Sequence, residues 1–149
     1  MTTIGVLNGP GLGRLGRYEP SIYGSQTLKD LEDVLKVEAH ILDIQMIFFQ
    51  SNHEGYLVDK IEELIDRKAN ALIFNPGAYS HTSLALYNTI AGSHLPTIEV
   101  HISNIYRREE FRRKSLIAPA CLGTIAGLGL DGYIAALRHL ARYLFEKRQ

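Results

Sequence analysis

Ala71-Leu72-Ile73-Phe74-Asn75-Pro76-Gly77-Ala78-Tyr79-Ser80-His81-Thr82-Ser83 is the stretch on which the fold turns. A short apolar run ends in a turn that carries an amide, hydroxyls and an imidazole. Polar groups at the carboxyl end of a strand are where open α/β sheets bind ligands. A second apolar run, Thr97-Ile98-Glu99-Val100, ends in the same manner with His101-Ile102-Ser103-Asn104, and the basic segment Arg107 to Lys114 follows it. Two neighbouring strand ends of this kind build one polar site.

Working outward, short apolar runs alternate with longer helical patterns, the signature of βαβ units and a mostly parallel sheet. Five strands are expected: Thr3–Leu7, Ile44–Phe49, Ala71–Phe74, Thr97–Val100 and Gly123–Ala126. The last is the weakest, because glycines bound it. Between the first two, Leu28, Leu31, Val34 and Leu35 share a helical face, with Ser25 or Thr27 as cap. Leu57, Ile61, Leu64 and Ile65 define a second helix. A third is expected over about 81–90, and a last over about 132–145 with Ile134, Leu137, Leu140 and Leu144 in register.

A length of 149 residues with 46% hydrophobic content suits one compact domain. Sixteen basic and sixteen acidic side chains cancel, so no global field calls for nucleic acid or a membrane surface. The single cysteine, Cys121, excludes an internal disulfide and fits a reducing compartment. No apolar stretch approaches the roughly 18 residues of a membrane span, and the N-terminus does not read as a secretory signal. A cytoplasmic location is expected.

Gly11-Leu12-Gly13-Arg14-Leu15-Gly16 matches the dinucleotide fingerprint G-x-G-x-x-G. That fingerprint needs its last glycine inside a helix that begins at the loop, whereas Glu19-Pro20 lies just downstream and the helical pattern starts only near Gln26. It also wants an acidic residue at the end of the second strand, where Gln50 stands. The segment is read as a glycine-rich, arginine-bearing loop over the site, and no nucleotide is expected.

Several motifs, taken together and in order, resemble the type II 3-dehydroquinate dehydratases. They are Asn8-Gly9-Pro10, Leu15-Gly16, Glu19-Pro20 with Tyr23-Gly24, Gln50 to Gly55, Asn75 to Ser83, Glu99 to Asn104, Arg108 to Arg112, and Gly127-Leu128-Gly129 with Gly132-Tyr133. The resemblance covers nearly the whole chain. It implies a flavodoxin-like three-layer α/β sandwich around a five-stranded parallel sheet, a dodecamer built from trimers, and dehydration of a cyclic carboxylate, 3-dehydroquinate, without metal or organic cofactor. It further implies Tyr23 as the base that takes a proton from the carbon next to the ketone and His101 as the acid that protonates the departing hydroxyl. Glu99 orients the histidine, and Asn75, His81, Ile102, Ser103 and Arg112 hold the substrate.

The chemistry is reasonable from the residues up. A proton next to a ketone is weakly acidic and hydroxide leaves poorly, so both a base and an acid are needed. A free phenol ionises only near pH 10, so a base of this type needs a cation beside it. In the family an arginine immediately before the Glu-Pro pair supplies it; here that position is Tyr18, and Arg17, then Arg14, are the expected replacements. Two further positions depart from the family: Gly11 replaces an asparagine, and Tyr87-Asn88 replaces an Arg-Asp pair whose aspartate reaches a neighbouring subunit's site. A different class of reading follows from these losses, a relative that binds a quinate-like carboxylate but turns it over poorly.

Overall fold

The computed structural model describes residues 1–17 and 19–149, so the Tyr18 substitution lies outside the described residues. Five parallel strands, β1 (Thr2–Asn8), β2 (Ile44–Gln50), β3 (Ala71–Asn75), β4 (Thr97–His101) and β5 (Gly123–Ala126), form one sheet in the order β2-β1-β3-β4-β5. All five expected strands are present, and four run one or two residues further than their apolar cores because the polar residue at the tip keeps its place in the ladder. Helices α2 (Leu28–Ile41), α3 (Glu54–Asp66), α4 (Leu84–Ser93) and α5 (Asp131–Lys147) cover both faces. A single helical turn, α1 (Pro20–Tyr23), was not expected; Pro20 supplies its first residue, where a missing N–H costs nothing.

Period-two alternation assigns each strand residue to one layer. Ala71 and Ile73 pack with Ile4, Val6, Leu31, Leu35, Tyr133 and Leu137 on the side of α2 and α5. Leu72 and Phe74 pack with Leu57, Ile61, Leu64, Leu86 and Ile90 on the side of α3 and α4. Thr27 is the cap of α2 and forms a reciprocal capping box with Asp30. Two expected core positions are exposed instead, Val34 on α2 and Ile65 on α3, because each lies at the rim of its helix's apolar stripe. The segment after β3 is a 3-10 turn over Gly77–His81, and α4 begins only at Leu84, where the Ser83 hydroxyl accepts the Leu86 N–H at 2.9 Å.

This strand order reverses direction between β1 and β3, and such a switch point leaves a crevice at the carboxyl ends of the strands. Asn8 and Asn75 sit side by side there in register. Gly9 follows, at a place where a Cβ would lie 2.4 Å from the Pro76 carbonyl oxygen, so the two chains can pass only without a side chain.

Candidate active site

The tips of β3 and β4, α1 and the loops around them enclose a cavity of about 330 Å³. Tyr23, Asn75, His81, His101, Ile102, Ser103, Arg108 and Arg112 all line it, so most of the residues expected at the site converge. Glu99 stands behind His101, fully buried. Arg17 and Asn88 are exposed and are not among the residues lining this cavity. Among the described residues no group of three or more His, Cys, Asp or Glu side chains is placed to hold a metal ion.

The β4 wall is hydrogen-bonded throughout. His101 Nε2 lies 2.8 Å from Glu99 Oε2, with only 5% of His101 and none of Glu99 exposed. The Ser115 hydroxyl accepts the N–H groups of Ile117 and Ala118, and donates to Glu99 Oε1 at 2.7 Å. Both carboxylate oxygens are therefore engaged. The imidazole N–H on one side and the hydroxyl on the other both donate to the carboxylate and hold it in place, so Nδ1 is the ring nitrogen turned away from Glu99.

At the tip of β3, Asn75 is 4% exposed. Its Oδ1 accepts the Gly77 N–H at 3.1 Å and its Nδ2 donates to the Tyr133 hydroxyl at 2.9 Å. His81 Nδ1 lies 2.8 Å from the Lys114 carbonyl, which can only accept, so that nitrogen carries a hydrogen. Its Nε2 is 3.3 Å from the Ser80 hydroxyl. Arg112 donates from Nε to Glu109 at 2.6 Å, and this ion pair holds the Glu109 carboxyl below its ordinary range.

Tyr23 ends α1, where its N–H is accepted by the Glu19 carbonyl at 3.0 Å. Glu19 itself adopts a left-handed backbone with φ 42°, uncommon for a residue with a side chain. Arg108 donates from Nη1 to the Tyr23 hydroxyl at 2.7 Å, and its guanidinium lies 5.3 Å from the ring centre. The same nitrogen is 3.3 Å from the Ser103 hydroxyl, and Nη2 is 3.9 Å from the Glu19 carboxylate. The guanidinium on the phenol is Arg108's; Arg17, the cation expected from the sequence, is exposed, and its backbone N–H donates to the Arg14 carbonyl.

The glycine loop makes a 3-10 turn at Leu12–Arg14, with Gly11 in a left-handed conformation at its start. No helix begins at its last glycine, and the first long helix waits until Leu28, as the rejection of a dinucleotide fingerprint requires. Gln50 braces the loop instead, donating to the Gly9 carbonyl at 3.1 Å and to Asn52 at 3.2 Å. Asn52 in turn accepts the Gly11 N–H at 3.1 Å, and Tyr79 donates its hydroxyl to the Asn52 carbonyl at 2.7 Å.

Arg108, Ser115 and Tyr133 are among the polar residues to which sequence reasoning assigned no role. Arg108 sits in a conspicuous basic run, but nothing in that run says which guanidinium turns inward.

Comparison with known proteins agrees with this architecture. The family model described as Dehydroquinase class II matches residues 2–141. The chain is 53% identical over 135 residues, 91% of each protein, to a 3-dehydroquinate dehydratase of Bacillus pumilus. It is 54% identical over 138 residues to one of Rhizobium etli, spanning 93% of this chain and 94% of that protein. The crystal structure of a type II dehydroquinase from Butyrivibrio crossotus superposes with a TM-score of 0.92 at 43% identity, covering 93% of this chain and 97% of that one.

Proposed function

The chain belongs to the class II dehydroquinase family, and on that footing we propose that it dehydrates 3-dehydroquinate to 3-dehydroshikimate in the shikimate pathway. The observation that carries the reading is a single cavity whose lining includes both a phenol touched by a guanidinium and an imidazole backed by a carboxylate. Tyr23, as phenolate, takes a proton from the carbon next to the ketone. The electron pair passes into an enolate, and its return expels the hydroxyl, which leaves as water once His101 supplies a proton from Nδ1.

Arg108 is the cation in this proposal. A guanidinium can only donate, so it engages a lone pair of the Tyr23 oxygen, and that bond strengthens as the oxygen becomes negative. Arg17 is kept as a second cation, on the loop that leads into Glu19. The backbone N–H groups of Ile102 and Ser103 hold the substrate carboxylate, while Asn75, His81 and the outer nitrogens of Arg112 hold the ring oxygens. The resemblance supports a dodecamer in the cytoplasm, with Asn88 turned toward a neighbouring subunit; no helix among the described residues is long and apolar enough to cross a membrane.

Purified protein supplied with 3-dehydroquinate should produce the ultraviolet absorbance of a conjugated enone, and Tyr23→Phe should lower turnover by about 10²- to 10⁴-fold, the contribution of one proton-transferring group. Turnover that survives the substitution removes Tyr23 as the base. Gly11, which lines the cavity without a side chain, and Asn88 favour the second reading, a weakly active binder. Tight binding of a quinate-like ligand with negligible turnover would establish it.

A further inference from the structure

We infer that Tyr133 is a positioning residue whose hydroxyl, together with the Gly77 N–H, holds the Asn75 amide so that an N–H faces the substrate. Tyr133 lies in the first turn of α5, fully buried, with its hydroxyl between the tips of β1 and β3. It donates to Asn8 Oδ1 at 2.5 Å and accepts from Asn75 Nδ2 at 2.9 Å.

The assignment of these atoms follows from a group that has no choice. The Gly77 backbone N–H can only donate, so the Asn75 atom 3.1 Å from it is the oxygen, and the atom facing Tyr133 is the nitrogen. With one hydrogen of that nitrogen on Tyr133, a single N–H remains for the cavity that Asn75 lines. The side chain therefore offers a donor, suited to a carboxylate, ketone or hydroxyl oxygen. A flipped amide would put its oxygen where Tyr133 now accepts, and would lose the Gly77 bond.

Burial also pushes the Tyr133 phenol above its ordinary range, so it stays protonated and its donor direction stays set toward Asn8. Asn8 and Asn75 are register partners on adjacent strands, and the phenol bridges their side chains from a helix 125 residues beyond Asn8 and 58 beyond Asn75. Neither Tyr133 nor Asn8 appears among the residues lining the cavity, so the influence on substrate runs through Asn75.

The kinetic test rests on the dehydratase reading and uses Tyr133→Phe, Asn75→Ala and the double variant. Tyr133→Phe keeps the ring in its packing; kcat/KM should fall about 10-fold, the worth of one hydrogen bond. In the Asn75→Ala background the same substitution should change kcat/KM by less than about twofold, because its route is gone. Additive losses, or an unchanged kcat/KM in Tyr133→Phe, would overturn the inference. A second readout needs no turnover: in the full-length protein the Asn75 side-chain amide resonances should shift and exchange faster with solvent in Tyr133→Phe. If wild type fails to dehydrate 3-dehydroquinate, the functional reading falls while the amide spectrum still decides the positioning role, and an unaltered Asn75 amide would refute it.

Discussion

The two walls of the cavity are built in different ways. The histidine wall is strand: Glu99 and His101 occupy the second half of β4, both buried, and Ser115 closes the far side of the carboxylate. The tyrosine wall is loop and one helical turn: Tyr23 is half-buried, and its hydroxyl is met by Arg108 from a separate loop. A strand fixes alternate side chains by its ladder, so a carboxylate and an imidazole can be buried there side by side with both carboxylate oxygens engaged. A phenol at the end of a four-residue helix has no such frame and takes its position from side-chain contacts instead.

The difference can be tested from each side. On the histidine wall, Glu99→Gln keeps the shape, but Ser115 must still donate to the amide oxygen, which turns the amide nitrogen toward His101. The imidazole is then left neutral with its hydrogen on Nδ1, a poorer acid, and turnover measured at neutral pH should fall by about 10² or more. Unchanged turnover would show that the buried carboxylate does not hold the imidazolium. On the tyrosine wall, Arg108→Ala should cost about 10- to 100-fold in kcat, the range for a hydrogen bond to a charged group. Arg17→Ala should cost less; the reverse order would return the leading role to the loop arginine.

The smallest effect concerns stability and belongs to neither wall. Burial, and then the nearby Glu99 carboxylate, push the Cys121 thiol from an ordinary 9.0 up to about 12. The folded state therefore keeps a proton that the unfolded chain releases, so this contribution is full below pH 9.0 and is lost as pH rises toward about 12. Thermal midpoints recorded across that window should decline, less steeply in Cys121→Ala; equal slopes would count against the thiol.

Much of this was legible in the chain. Ala71 to Phe74 reads as a strand because a short apolar run buried on both faces has few alternatives, and the polar residues after it mark the site because strand tips open on the crevice. The cap of α2 could be narrowed in the chain only to Ser25 or Thr27, and the reciprocal box with Asp30 selects Thr27. Val34 and Ile65 were misread because periodicity gives the centre of an apolar stripe more surely than its rim.

By itself, then, the sequence determined the parallel α/β plan, the family motifs and which strand ends carry polar groups, all of them set by local pattern and chain order. The tertiary structure alone decided which arginine meets Tyr23 across a separation of 85 residues, and which phenol orients Asn75 across 58. Those pairings depend on where side chains point after the sheet has twisted and the helices have docked, and a hydrogen bond discriminates over tenths of an ångström, a scale that no residue pattern encodes.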